Sequence, residues 1–213
     1  MILVSFQPII ALARDPNIDA YLFASITCLY QSMFFLPIMA YQRKILKKKL
    51  DSSEKISLDL SQTYSLLYGW KNKRTFYTII YLGVNFAITQ VLFYFAFDLA
   101  GAINGSLSQK TTVLFGLLFG FFINNEKVNL KQIIFSIILF FGVMLATTQG
   151  NFNLLELNIG VVLMMIVAML WMLAHSITKP IIKKNQIISS QIVFSRNLLN
   201  ASILIIGYVI FFP

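Results

Sequence analysis

The sequence is poor in the residues on which soluble enzymes and disulfide-bonded domains depend. It has one cysteine, one histidine and eight acidic residues, and charged residues make up 12% of the 213 positions. A soluble domain carries about twice that charged fraction. The lone Cys28 excludes a disulfide within the chain. No nucleophile triad, phosphate loop or cluster of metal-ligating side chains is present. We therefore expect a protein that is not an enzyme and has no metal site or cofactor.

What the sequence does contain is long apolar runs, with 58% hydrophobic residues and a mean hydropathy of +0.76. These segments are 1–13, 19–42, 75–98, 102–123, 130–148, 158–178 and 188–212. All but the first approach or exceed the roughly 17–25 residues that a helix needs to cross a bilayer. The sequence therefore predicts an all-α polytopic membrane protein, with the lipid bilayer as its surroundings.

The net charge of +9 does not indicate a nucleic-acid partner, because no soluble domain is present to hold one. Basic residues are concentrated in the connection 43–74 and recur at 127–131 and 179–184, whereas the connections near 98–104 and 149–157 have none. This alternation follows the positive-inside rule. It predicts an integral protein of the plasma membrane whose long connection 43–74 is cytoplasmic.

A weak internal similarity relates the two ends of the chain. The segment 5–10 (SFQPII) resembles 176–182 (SITKPII), and each precedes a polar turn and another apolar run. Chance is the alternative, since isoleucine is common here. The predicted topology would make the two copies inverted, as in many secondary transporters. If Pro8 corresponds to Pro180, the first helix is clipped, and we expect a fragment or a shortened gene model.

A more specific resemblance lies at 105–145. It comprises the block Gly105-Ser106-Leu107-Ser108-Gln109-Lys110-Thr111-Thr112, the turn Asn125-Glu126-Lys127-Val128 and the run Leu139-Phe140-Phe141-Gly142-Val143-Met144-Leu145. This pattern resembles the fourth and fifth helices of an EamA-type repeat, from the drug/metabolite transporter superfamily. Asn125 and Lys127 stand where that pattern has Gly and Arg, and Glu126 matches. Residues 160–184 with Ser195-Arg196-Asn197 resemble the opening of a second repeat.

The resemblance implies an inverted-repeat helical bundle of ten helices, of which about six to seven are present. Residues 1–149 would form the first repeat and 150–213 the start of the second. It implies a permease that moves a small metabolite or drug-like solute by alternating access. The alternative is a non-transporting scaffold or assembly subunit, or an inactive transporter fragment. In that case the basic connection would contact anionic lipid or a cytoplasmic protein.

Polar residues on the third and fourth helices are the candidate substrate contacts. A turn near residue 100 makes these helices antiparallel neighbours, so residues at equal depth have numbers that sum to about 200. Gln90 then lies opposite Lys110, and Tyr94 near Ser106. The candidate substrate-binding residues are Asn85, Thr89, Gln90, Tyr94, Ser106 and Lys110.

Lys110 is the principal candidate because a lysine at membrane depth is costly unless it faces protein or a water-filled cavity. One interpretation is that its amine attracts an anionic or carbonyl group of the substrate. A second is that it bridges polar groups between helices. The third is that it extends toward the outer headgroups.

Other polar residues have simpler interpretations. We expect Arg196 to extend toward the cytoplasmic headgroups, and His175 to bond a neighbour at its helix end rather than relay protons. The negative charge of Glu126 is stabilised by the dipole at the N-terminus of the next helix, so we read this residue as structural. The motif Gly116-x-x-x-Gly120 predicts close helix packing within the monomer, with a homodimer as the alternative. No carboxylate lies at mid-membrane depth, since Asp98 is at the outer edge.

Overall fold

The structure is a computed structural model that describes residue 13 and residues 18–52, 57–150 and 158–211. These residues form seven α-helices and a short 3₁₀ turn, with no strand among them. The helices are α1 (Ala20–Ser52), α2 (Ser57–Tyr68), α3 (Lys73–Gln109), α4 (Thr112–Asn124), α5 (Leu130–Thr147), α6 (Ile159–Lys183) and α7 (Ser189–Phe211), and the 3₁₀ turn is Gly69–Lys71. The predicted segment 1–13 and the repeat copy 5–10 lie outside the described residues, apart from residue 13.

The all-α membrane fold is confirmed for the described part of the chain. Five of its helices are long and apolar enough to cross a membrane, namely α1, α3, α5, α6 and α7. The expected connection 43–74 is itself largely helical, because α1 continues to Ser52 and α2 follows. Lysine, leucine and isoleucine are compatible with a helix, and no glycine or proline interrupts 43–52.

Gly101 ends the first membrane-spanning part of α3. Its φ of 74° and ψ of 172° are not helical, so α3 consists of two helical segments, 73–100 and 102–109. A positive φ of this kind is readily adopted only by glycine. Phe97 and Gly105, each one helical turn from Gly101, lie against each other, with a Cβ on Gly105 coming 2.7 Å from the Phe97 ring. The predicted turn near residue 100 is therefore present and joins antiparallel segments.

The turn between α4 and α5 is closed by local hydrogen bonds. Asn125 adopts the left-handed conformation with φ 51°, and the next backbone N–H donates to Gly120 O at 3.1 Å. Asn129 then caps α5 in a reciprocal capping box with Gln132. Asparagine tolerates the left-handed conformation better than other non-glycine residues. This explains why Asn125 can stand where the EamA-type pattern has Gly.

The chain divides into two compact units. The first comprises residues 1–23 and 88–176, and the second comprises 24–87 and 177–213. These units are defined by contacts in space and each combines separate stretches of the chain. They therefore do not test the predicted repeats 1–149 and 150–213, which stay a prediction.

In the first unit, α6 packs closely on the end of segment 73–100. A Cβ on Gly160 would lie 2.5 Å from Ala100 N and 2.7 Å from Ala96 O. Asn158 begins α6 by accepting a hydrogen bond from Gly160 N at 2.8 Å, and its side chain donates to Leu99 O at 2.6 Å. One asparagine thus caps the start of α6 and satisfies a carbonyl at the end of segment 73–100 of α3.

In the second unit, α3 and α7 approach closely at Gly83, where an added Cβ would lie 2.7 Å from the Leu199 side chain. In the same unit, Gly69 of the 3₁₀ turn packs directly on the backbone carbonyl of Gln186, which lies between α6 and α7. The 3₁₀ turn and the α6–α7 connection are therefore in direct contact. The core nearby contains Leu82, Cys28 and Ile187, which are each at most 2% exposed.

Gly160→Ala is expected to lower the free energy of unfolding by about 1–3 kcal/mol, because the new methyl group would collide with backbone atoms that cannot rotate away. The matched control is Gly142→Ala in α5, where nothing lies within 4 Å of the new Cβ. That control should be neutral or slightly stabilising, since alanine favours a helix by up to about 1 kcal/mol. Thermal unfolding of both variants in detergent measures the difference. Equal melting temperatures would contradict the close α6–α3 contact.

Asn125→Gly is expected to keep or slightly raise stability, whereas Asn125→Val should lower it by about 1–2 kcal/mol, because a branched side chain resists the left-handed conformation. Lys127→Val, in the same turn and also exposed, is the control for a change in polarity alone. The measurement is again the apparent melting temperature. An Asn125→Val protein as stable as Asn125→Gly would show that this turn does not depend on the positive φ.

Candidate functional site

The first unit contains a helix that is interrupted next to Lys110. Backbone bonds around this point connect residues three apart: Lys110 N donates to Leu107 O at 2.9 Å, Thr111 N to Ser108 O at 3.1 Å, and Val113 N to Lys110 O at 3.1 Å. The predicted segment 102–123 is therefore not one continuous helix. It consists of 102–109 and α4, joined by a tightened 3₁₀-like turn. Such turns inside a helix often mark functional hinges.

Side-chain hydroxyl groups explain the interruption. Ser106 donates to Ala102 O, Ser108 donates to Asn104 O at 2.7 Å, and Thr111 donates to Ser108 O at 2.7 Å. Hydroxyls that bond to carbonyls three or four residues earlier compete with the backbone ladder and tend to bend a helix. The polar block that carries the family resemblance is thus also the block at which the regular α-helix is interrupted.

Lys110 is exposed at this interruption. Among the residues that the structure describes, its side chain makes no hydrogen bond and no ion pair, and no hydrogen bond joins it to Gln90, Tyr94 or Ser106. The structure therefore gives no protein partner of the kind that the bridging interpretation requires. The substrate-contact and headgroup interpretations of Lys110 remain predictions.

Two of the other candidates, Gln90 and Tyr94, make contacts from segment 88–100 of α3. Gln90 Nε2 donates a long hydrogen bond to the Tyr94 hydroxyl at 3.5 Å. The Tyr94 ring packs edge-on against Phe23 and Phe93, with centroids 5.2 Å and 5.5 Å away. Gln90 and Tyr94 thus form one polar pair one helical turn apart, as the spacing predicts.

Thr89 is completely buried and has a partner that sequence reasoning missed. Trp171 Nε1 of α6 donates to Thr89 Oγ1 at 3.0 Å, and the indole lies against Phe93 with centroids 5.3 Å apart. Trp171 was not among the predicted site residues. An indole N–H that is removed from water needs an acceptor, and that requirement is the signal that could have indicated a polar neighbour for Trp171.

Asn85 belongs to the second unit, whereas the other five candidates lie in the first. Its amide nitrogen donates to the Tyr81 hydroxyl at 3.3 Å, and the residue is 7% exposed. Tyr81 was not among the predicted site residues.

The second unit also holds a polar cluster around Arg196, which we define as Cys28, Arg196, Asn200 and the ring of Phe86. The Arg196 guanidinium lies 4.1 Å from the centroid of the Phe86 ring. Asn200 Nδ2 donates to Cys28 Sγ at 3.1 Å. The Asn200, Asn197 and Cys28 side chains are at most 3% exposed. A half-buried cation thus lies against an aromatic ring on these apolar helices, and a buried amide and a buried thiol are bonded to each other on the same helices.

These contacts show where part of the Arg196 side chain lies, and its extension to the headgroups stays a prediction. Its Nε atom is buried without a hydrogen-bond partner among the described residues, and the same holds for Asn200 Oδ1. The guanidinium packs inward because the Phe86 face offers a favourable cation–π contact. Sequence spacing gives Arg196 and Asn200 a common face at i, i+4, but it cannot supply Phe86 from another helix.

The remaining candidates have local contacts. The Glu126 carboxylate folds over Gly120, with Oε2 3.2 Å from where a Cβ would lie, and Gly116 faces Met172 Cε of α6. Both glycines of the motif therefore pack against their own chain, which agrees with packing within the monomer; the homodimer stays an alternative. His175 is exposed on α6 and interacts within the chain. The described residues contain no group of three or more potential metal ligands.

Arg196→Met is expected to leave the melting temperature in detergent unchanged or raised. Arg196 is half-buried and has no carboxylate partner among the described residues, so it bears part of the several-kcal/mol cost of removing a cation from water, whereas its cation–π contact returns about 0.5–2 kcal/mol. Methionine fills a similar volume without the charge. The control is Arg43→Met, which removes a guanidinium that donates to Gln191 Oε1 at 3.0 Å and should be neutral or mildly destabilising. A melting temperature clearly lower in Arg196→Met than in Arg43→Met would show that Arg196 is a structural residue.

Comparison with known proteins identifies the family. A family model described as the EamA-like transporter family matches residues 1–148, which is well over half of the 213-residue chain. Searches of curated proteins and of solved structures give no match. The match includes the polar block at 105–112 and the turn at 125–128, the same segments that form the interrupted helix and the closed turn. The chain is an integral membrane protein that belongs to the EamA-like transporter family, whose members are membrane transporters of the drug/metabolite type.

Proposed function

We propose that this chain is a permease of the plasma membrane that moves a small metabolite or drug-like solute by alternating access. Membership of the EamA-like transporter family carries the proposal. It is supported by the polar side chains buried on apolar helices, since polar groups in membrane spans are costly and are retained mainly for function.

The basic connection gives the proposed orientation. Residues 43–74 carry the largest share of the arginine and lysine residues, and such residues favour the cytoplasmic side. We place 43–74 and the α4–α5 turn inside, and the turn at Gly101 outside. The two inverted repeats, 1–149 and 150–213, are part of the same proposal.

In the first unit, the proposed substrate contacts are Lys110, Ser106, Gln90, Tyr94 and Thr89. The interruption of the helix next to Lys110 supports this choice, because transporters commonly bind substrates where a membrane helix is broken. The exposed amine of Lys110 suits an anionic or carbonyl group of the solute. Asn85, in the second unit, is a proposed contact of that unit.

The test of transport is efflux from liposomes that contain the purified chain. The liposomes are loaded with a defined mixture of amino acids, organic acids, nucleosides and sugars, and the solutes that leave are identified by mass spectrometry. We expect particular solutes to leave faster than from protein-free liposomes. Efflux equal to that of protein-free liposomes for every solute would favour the non-transporting alternative.

Lys110→Met is expected to slow that efflux about tenfold or more, because a hydrogen bond to a charged group contributes about 1.5–3 kcal/mol. The matched control is Lys127→Met, which removes an exposed lysine from the α4–α5 turn and should leave efflux unchanged. Size-exclusion profiles establish that both variants fold. Efflux through folded Lys110→Met at the rate of the unmodified protein would contradict the role of Lys110 in substrate contact.

A further inference from the structure

A cleft with a volume of about 340 Å³ lies in the second unit, beside the part of α1 that continues beyond its apolar run. Its lining residues are Ala40, Arg43, Lys44, Lys47, Leu67 and Tyr68. We call it the basic cleft. Three of its four lining side chains from α1 are cationic, and the wall contributed by α2 is a leucine and a tyrosine.

The helical spacing explains why these cations lie together. Residue 47 is four positions after residue 43 and three after residue 44, so it neighbours both on one side of α1. Like charges four residues apart on a helix repel each other and destabilise it by a few tenths of a kcal/mol. The arrangement therefore favours an anion between them.

The described part of the chain supplies no such anion. The side chains of Lys44 and Lys47 make no hydrogen bond or ion pair with described residues, and Asp51, one turn beyond Lys47, forms no ion pair there. Arg43 is held by a neutral partner, with Nη1 donating to Gln191 Oε1 at 3.0 Å. The guanidinium is thus positioned by an amide rather than neutralised by a carboxylate.

The aromatic wall is also held in place. Tyr68 packs on Tyr64 with ring centroids 4.8 Å apart. The ammonium of Lys71 lies 5.3 Å from the Tyr68 centroid and 5.8 Å from that of Trp70. A further cation, Lys71, therefore lies beside the ring that lines the cleft, and its ammonium contacts the faces of aromatic rings.

The size and position of the cleft indicate the ligand. A water molecule occupies about 30 Å³, so the cleft is large enough for a group much bigger than a simple ion. A span of about 20 residues crosses the hydrocarbon core at 1.5 Å per residue, which carries α1 from Ala20 to about Ala40. The cleft begins at Ala40 and therefore lies at the depth of the lipid headgroups.

We propose that the basic cleft binds the phosphate group of an anionic ligand, either a phospholipid headgroup or a free phosphorylated metabolite. Arginine and lysine bind phosphate oxygens through charge-assisted hydrogen bonds, and Ala40 and Leu67 contact the apolar part of the ligand. The proposal does not depend on transport. Under the proposed orientation the basic cleft faces the inner leaflet, and only this choice of leaflet rests on the proposed function.

The experiment measures ligand retention by the purified full chain in detergent. The probes are dioleoyl phosphatidylglycerol, dioleoyl phosphatidylcholine and glycerol 3-phosphate, and native mass spectrometry counts the bound molecules. We expect phosphatidylglycerol or glycerol 3-phosphate to bind, and phosphatidylcholine to bind far more weakly. Phosphatidylglycerol binding alone identifies a lipid site, and glycerol 3-phosphate binding identifies a site for soluble phosphates. Retention of all three probes equally, or of none, would overturn the proposal.

Two triple variants separate the cleft from the overall charge. Arg43→Gln with Lys44→Gln and Lys47→Gln should weaken binding about 100-fold, since each basic residue contributes roughly a factor of five near an anionic group. The control is Lys49→Gln with Lys73→Gln and Arg74→Gln, which removes the same charge from residues outside the cleft and should have little effect. If the first triple variant does not fold, Lys44→Gln alone should weaken binding about fivefold. Equal losses in cleft and control variants would overturn the proposal.

Discussion

The polar groups of this chain must find partners within the protein, because the hydrocarbon core offers no water to bond them. The same need for partners extends to the end of the span, where the Leu99 carbonyl, left free because the helix stops at Gly101, is bonded by the Asn158 amide. Thr89 is bonded by the Trp171 indole. Both contacts connect α3 to α6 in the first unit. The polar residues of these spans thus determine how two apolar helices fit together.

The spans themselves follow from composition, because apolar runs of this length have few other stable arrangements. The predicted segments 130–148 and 188–212 match α5 and α7 to within about two residues, as helix ends usually do. The interruption next to Lys110 was not predicted, because hydroxyl groups can bond either outward or back to their own helix. The helical part of 43–74 was also missed, since basic composition indicates a side of the membrane rather than a conformation.

The candidate site was only partly predictable. Local pairs such as Gln90 with Tyr94 follow from helical spacing and are present. Contacts between distant segments, such as Arg196 with Phe86, depend on which helices become neighbours. No periodicity within one helix contains that information. The sequence therefore indicated which polar residues lie in apolar segments, where they cost free energy if left without a partner. It could not give the helix packing that determines those partners.

Glycine has opposite roles along the same chain. Gly160 and Gly83 allow close approach to backbone or side-chain atoms of a neighbouring helix, which favours a fixed register because any sliding introduces collisions. Segment 102–111 is different, because its hydroxyl groups bond to carbonyls of their own helix and its backbone bonds become 3₁₀-like at Lys110 and Thr111, an arrangement that tends to bend a helix. A carrier that alternates its access requires both properties, rigid contacts that preserve the site and a segment that rearranges at low cost. Their occurrence on the same helices supports the proposed transport function more strongly than any single polar residue does.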